Sequence, residues 1–178
     1  MALKATVIKA ELTIADMDRH YYQTHSLTLA QHPSETEERL LVRLLAFCLH
    51  ASDTLMFTKG ISTDDEPDLW QKTLTDDIEL WIDLGQPDEK RVRKACARAD
   101  QVVIYTYQPR SAAVWWESNK GALARFDNLR VRSLSAETVA GIASLAARSM
   151  VLNATIQDGQ VWLANDQSSV PVEFEELK

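Results

Sequence analysis

The sequence predicts an α/β protein in which a mixed central sheet is flanked by helices. Strand and helix patterns alternate from residue 78 to residue 148, and such alternation implies crossover connections and parallel pairing. Hairpin patterns near both ends of the sequence add antiparallel strands. The 178 residues, 46% of them hydrophobic, are enough for a sizeable core, and we predict one domain over residues 1–178.

Each predicted strand is an alternation of apolar and polar residues or a short apolar run bounded by turn residues. The strands are predicted, in chain order, at 5–15, 24–30, 55–57, 78–84, 101–107, 129–134, 151–157 and 160–164. Asp158-Gly159 joins the last two as a tight hairpin. The acidic stretch 60–72 lacks apolar periodicity and is predicted to be a loop.

Four helices are predicted, most of them from a start signal followed by an apolar stripe. Ser34 and Glu37 form a capping box for a first helix that reaches about His50. A proline opens the second helix, at 87–99, in which apolar and cationic residues take opposite faces. Two more helices are predicted, at 111–119 and 135–148.

Charge and composition exclude several classes of protein. A net charge of −7 argues against nonspecific coating of nucleic acid, because lysine and arginine carry phosphate affinity, but it leaves room for a local basic face. No apolar run approaches the roughly 20 residues that span a bilayer, and the N-terminus lacks a signal-peptide core. We therefore expect a cytoplasmic protein without membrane contact, in which Cys48 and Cys96 are reduced and buried.

The residues suited to chemistry are concentrated between residues 64 and 98. An acidic cluster at 64–68 is followed by Asp83 within an apolar strand and then by the basic helix. Two carboxylates beside cations suit a divalent metal and a phosphate. The alternative is that Asp83 pairs with an arginine or faces solvent, and that the other charges are solvated.

Five segments resemble a known family. They are Ser34-Glu35-Thr36-Glu37-Glu38-Arg39, Asp64-Asp65-Glu66-Pro67, Leu80-Trp81-Ile82-Asp83-Leu84-Gly85, Pro87-Asp88-Glu89-Lys90-Arg91 and Ala154-Thr155-Ile156-Gln157-Asp158-Gly159. Together with residues 1–6 they make the chain similar to the YaeQ family of bacterial proteins over nearly its whole length. The resemblance implies a restriction-endonuclease-like fold, a variant of the PD-(D/E)XK nuclease fold.

In that superfamily an acid opens one strand, a second acid lies in the next strand, and a lysine follows two residues later. The resemblance carries the two acids onto Asp68 and Asp83 and an additional helix acid onto Glu38 or the adjacent Glu37, while the lysine position holds Gly85. The cation would then come from the following helix. The candidate catalytic residues are Asp68, Asp83, Lys90, Lys94 and Glu38, with Arg91 as another source of the cation; the candidate ligands for Mg²⁺ or Mn²⁺ are Asp68, Asp83 and Glu66.

Two hypotheses of function follow. The first is a metal-dependent nuclease that hydrolyses phosphodiesters in nucleic acid. The second is a catalytically degenerate nuclease-fold protein that binds nucleic acid or an acidic protein through the basic face of the helix at 87–99. The missing lysine at position 85 and the acidic net charge favour the second.

Overall fold

The computed structural model describes residues 3–59 and 65–178. The chain divides into two compact units, Met1–Cys48 with Glu137–Glu173 and Leu49–Ala136 with Phe174–Lys178. The described elements are β1 (Thr6–Asp16), β2 (Tyr21–Gln31), α1 (Glu37–His50), β3 (Leu55–Phe57), β4 (Leu69–Lys72), β5 (Ile78–Leu84), α2 (Glu89–Arg98), β6 (Ala99–Thr106), α3 (Pro109–Leu123), β7 (Leu129–Leu134), α4 (Ala136–Ala143), β8 (Ser149–Gln157), β9 (Gln160–Ala164), β10 (Ser169–Val172) and β11 (Phe174–Glu176).

The first unit contains a five-stranded sheet in the order β10-β9-β8-β1-β2. β1 pairs antiparallel with β2 from Thr6 to Asp16, and it pairs parallel with β8, where Lys9 lies opposite Ser149. Alternate residues of β1 and β8 are buried, so one face of this sheet meets a core and the other is exposed.

The N-terminal cap of α1 is Thr36, so the predicted capping box at Ser34 is wrong. Thr36 Oγ1 accepts a hydrogen bond from the backbone N–H of Arg39 at 3.2 Å. A turn closed by the Glu35 N–H and the His32 carbonyl, at 2.8 Å, keeps Ser34 outside the helix. The Ser34 hydroxyl lies instead 2.6 Å from His32 Nδ1.

The second unit contains a six-stranded sheet in the order β11-β7-β6-β5-β4-β3. β5, β6 and β7 are parallel, which is what the intervening helices α2 and α3 require, whereas β3, β4 and β11 are added antiparallel. One hydrophobic cluster joins the sheet to residues of α2 and α3. Its buried members are Trp70, Ile78, Trp81, Val92, Ala95, Ala99, Val102, Ile104, Leu123, Leu129 and Val131.

The structure confirms the α/β class, the mixed pairing and the hairpins near both ends. The strands are divided over two sheets, so the prediction of one central sheet is wrong. The prediction failed because the pattern of a strand identifies its buried face but not the strand it pairs with. The predicted loop at 60–72 is wrong at its end, where four residues form β4. Residues 60–64 of this predicted loop lie outside the described residues. The single domain predicted over residues 1–178 stays a prediction.

None of the helices in the described part of the chain combines the length and the apolar character needed to cross a membrane.

Candidate functional site

Asp68 and Asp83 are brought together by the pairing of β4 with β5. Leu69 lies opposite Ile82 in this antiparallel pair, and Asp68 is the residue just before β4. The Asp68 N–H donates to the Ile82 carbonyl at 3.0 Å, and the Leu84 N–H donates to the Asp68 carboxylate at 2.9 Å, so Asp68 lies beside the segment of β5 that carries Asp83. Two neighbouring buried carboxylates repel each other unless a cation intervenes.

Arg91 provides that cation for Asp83. Asp83 is only 2% exposed, and its two carboxylate oxygens accept hydrogen bonds from Arg91, Oδ2 from Nε at 2.8 Å and Oδ1 from Nη2 at 2.9 Å. This bidentate geometry is the strongest form of arginine–carboxylate pairing. The interpretation in which Asp83 pairs with an arginine is therefore the arrangement observed.

The first turn of α2 explains why Arg91 reaches Asp83. Asp88 is the N-cap of α2 and accepts from the Arg91 N–H at 2.8 Å, which fixes Arg91 as the third residue of the helix. Gly85, between β5 and α2, has a φ of 99°, a backbone conformation that residues with a Cβ rarely adopt. A lysine at position 85 would therefore be strained, and the cation that Asp83 contacts comes from α2.

Asp68 is satisfied differently. It is 6% exposed, and its Oδ2 accepts from the Leu84 N–H at 2.9 Å, just beyond Asp83 on β5. Burial raises the pKa of Asp83 above its usual range; the hydrogen bonds and charge of Arg91 oppose this rise, and the charge of Asp68 adds to it. A buried acid with a raised pKa beside a specific charge partner is typical of a functional site, although structural ion pairs also produce it.

The other predicted site residues have different contacts. Glu66 contributes its backbone carbonyl, which accepts from Arg91 Nη2 at 2.9 Å. Lys94 pairs with the exposed Asp65, and Lys90 is exposed with no side-chain partner in the described part of the chain. Glu38 is exposed in α1, within the first unit, whereas the acid pair belongs to the second. Asp64 lies outside the described residues.

Two tryptophans lie beside the acid pair. Trp70 and Trp81 pack edge to face with centroids 6.3 Å apart, and the guanidinium carbon of Arg98 lies 5.2 Å from the centre of the Trp81 ring. Among the described residues no acceptor makes a hydrogen bond of good geometry with the buried Trp81 Nε1. The indole is nevertheless close enough to Asp83 to lower the pKa of that carboxyl slightly. The sequence did not point to Trp81 as a site residue. Trp81 lies two residues before Asp83 on β5, so the two side chains are on the same face of the strand.

The carboxylate oxygens of this site, as they are arranged here, do not fit a resident Mg²⁺. Mg²⁺ prefers oxygen ligands and accepts one or two carboxylates with waters, so the atom types are suitable. However, Arg91 engages both oxygens of Asp83, and no group of three or more His, Cys, Asp or Glu side chains is placed to hold a metal among the residues described. Metal ligation by Asp68, Asp83 and Glu66 stays a prediction.

The fold and the site together define a mixed α/β protein with a buried pair of aspartates, one of which is paired with an arginine from the following helix. The chain matches the family described as YaeQ protein over residues 1–174, and it belongs to that family. It is 47% identical to the YaeQ protein of Escherichia coli strain K12 over 172 residues, which cover 97% of this chain and 95% of the relative.

Two crystal structures of YaeQ proteins share this fold. The protein from Xanthomonas axonopodis pv. citri has a TM-score of 0.92 and 52% identity, with 97% of each chain covered. The protein from Pseudomonas syringae has a TM-score of 0.93 and 33% identity, covering 98% of this chain and 96% of its own. The family expected from the sequence motifs is thereby confirmed.

Proposed function

We propose that this chain is a nuclease-like protein of the PD-(D/E)XK type that has lost metal-dependent hydrolysis and binds the phosphodiester backbone of nucleic acid through α2. The observation that carries the proposal is the bidentate pairing of Arg91 with Asp83. In this pairing Asp83, the best candidate metal ligand, is bound by a cation of the protein itself. The same helix presents further cations on its exposed surface.

The exposed cations of α2 form one row. Lys90, Lys94 and Arg98 are spaced four residues apart, so they lie above one another on the same side of the helix. All three are exposed, with 48% of the Lys94 side chain accessible. Such a row contacts phosphates without reading base sequence, and it acts locally despite the acidic net charge.

The salt dependence of binding to a labelled DNA oligonucleotide, measured by fluorescence anisotropy, tests this function. Reversing Lys90 and Lys94 to glutamate should weaken binding at least tenfold and lower the slope of log K against log salt by about two, since each phosphate contact contributes roughly 0.9. Lys120→Glu is the matched control, because Lys120 is an exposed lysine of α3 in the same unit. Equal affinities for the wild type and the double variant would contradict the proposal.

A second candidate, the metal-dependent nuclease, is favoured by the proximity of the buried carboxyl groups of Asp68 and Asp83. It requires Arg91 to release Asp83 before a metal is held. The test is thermal unfolding with Mg²⁺ or Mn²⁺, since a ligand that binds only the native state raises the melting temperature. A rise in the wild type that is lost in Asp83→Asn and Asp68→Asn supports a metal site, and coincident curves with and without metal rule against it.

A further inference from the structure

The cations of α2 are already in contact with a short acidic segment of the same chain, Asp65–Glu66. Lys94 Nζ pairs with the Asp65 carboxylate, and Arg98 Nη1 donates to the Asp65 carbonyl at 2.8 Å. Arg91 Nη2 donates to the Glu66 carbonyl at 2.9 Å. Three cations of one helix therefore converge on the oxygens of two consecutive residues.

The Asp65 carboxylate and the carbonyls of Asp65 and Glu66 resemble the acceptors of a nucleic-acid backbone. Such a backbone also presents anionic oxygens and neutral acceptor oxygens along one continuous chain. We propose that Asp65–Glu66 occupies the nucleic-acid-binding face of α2 as an intramolecular mimic of a phosphodiester backbone, and thereby lowers the affinity of that face for nucleic acid. The inference rests on the proposed function and adds the regulation of the same site.

The contact is of the kind that a polyanion displaces. The side chains of Lys94 and Asp65 are 48% and 80% exposed, and exposed ion pairs are weak and screened by salt. The Lys94 hydrogen bond and charge hold the pKa of Asp65 below its usual range, so Asp65 is anionic at neutral pH. Arg91 is held by the buried Asp83 and keeps its position, whereas Lys94 and Arg98 exchange partners.

The test compares Asp65→Asn with Asp76→Asn in the DNA-binding measurement at low ionic strength. Asp76 is the matched control, because it is an exposed aspartate of the same unit paired with another lysine, Lys72, at 3.1 Å. We expect Asp65→Asn to bind DNA roughly two- to fivefold more tightly than the wild type, the range that one exposed ion pair supplies. Its salt slope should also be steeper, because Lys94 is released for phosphate contact. Asp76→Asn should match the wild type.

The outcomes separate this inference from the proposed function. If the wild type binds DNA and Asp65→Asn binds no more tightly than Asp76→Asn, the mimicry is refuted while the binding function stands. If neither the wild type nor Asp65→Asn binds, both fail. If only Asp65→Asn shows measurable binding, both are supported.

Discussion

Arg91 donates two hydrogen bonds to the carboxylate of Asp83, at 2.8 and 2.9 Å, and so joins the first turn of α2 to the end of β5. The pair is asymmetric in exposure, with the Arg91 side chain 25% accessible and that of Asp83 only 4%. Removing the arginine therefore leaves a buried charge behind, whereas removing the carboxylate leaves a cation that can turn toward water.

Loss of Arg91 should destabilise the protein strongly. We expect Arg91→Met to lower the free energy of unfolding by roughly 3 kcal/mol, because Asp83 then stays buried without its counter-charge. Urea unfolding followed by circular dichroism measures this. Arg93→Met is the control on the same helix, since Arg93 is exposed and its contact with Glu89 is 3.9 Å long; it should cost less than about 1 kcal/mol. Similar losses in the two variants would show that the Asp83 contact has no special weight.

The titration of Asp83 should be visible in the pH dependence of stability. Burial raises its pKa in the folded protein, against the opposing effect of Arg91 and with a contribution from Asp68. A raised folded pKa gives a stabilisation that is complete below the unfolded pKa, about 3.9, and is lost as pH rises through the folded pKa. Asp83→Asn cannot titrate. The free energy of unfolding of the wild type minus that of Asp83→Asn should therefore fall as pH rises from about 4, and then level off.

Urea unfolding at closely spaced pH values below and above neutrality measures this difference. Asp76→Asn serves as the control for loss of a carboxylate, because Asp76 lies on an exposed turn. A difference between wild type and Asp83→Asn that stays constant, or that rises with pH, would contradict the assignment.

A lysine introduced at position 85 should not be tolerated. Gly85→Lys should cost about 1–3 kcal/mol of stability, because a φ of 99° is strained for any residue with a Cβ. Gly121→Ala is the contrasting variant, since a Cβ there meets nothing within 4 Å and the residue lies inside α3; it should stabilise by about 0.5–1 kcal/mol. Thermal unfolding of both variants tests the contrast, and a neutral Gly85→Lys would remove the conformational explanation for the missing lysine.

The helix cap of α1 gives a further prediction. Thr36→Ala should destabilise the protein by about 1 kcal/mol, because the N–H of Arg39 loses its acceptor. Ser34→Ala should have a much smaller effect, since Ser34 lies outside the helix. Chemical denaturation of the two single variants distinguishes them, and a larger cost at Ser34 would restore the capping box read from the sequence.

The sequence predicts the positions of most strands because alternation reports directly on burial. The strand at 5–15 is observed as β1, and the apolar run at 78–84 as β5. β4 escapes prediction because its four residues follow an acidic stretch and are too few for a period. Which strands pair is a property of the whole chain, so nothing local to β1 or β5 indicates that they belong to different sheets.

The candidate site is predictable in its acids and not in its cation. Asp83 stands out because a carboxylate within an apolar strand needs a partner, and the pairing of β4 with β5 brings Asp68 beside it. A helical wheel places Lys90, Arg91 and Lys94 on one broad face, and it does not show which of them folds back onto the strand. The deciding signal is Asp88, whose role as N-cap fixes Arg91 three residues later. The contact of Lys94 with Asp65 depends on the path of a loop, which no periodicity reports.

Neither sheet is assembled from one continuous stretch of chain. Lys9 of β1 pairs with Ser149 of β8, and Leu134 of β7 pairs with Phe174 of β11, so both strands have partners that are synthesised much later in the chain. While the polypeptide is still emerging from the ribosome, the edge of β1 that later pairs with β8 remains unsatisfied in the β1–β2 hairpin, and such edges attract other strands. We therefore expect translation pauses or premature termination before β8 to yield aggregates, and the completion of both sheets to follow the synthesis of β11.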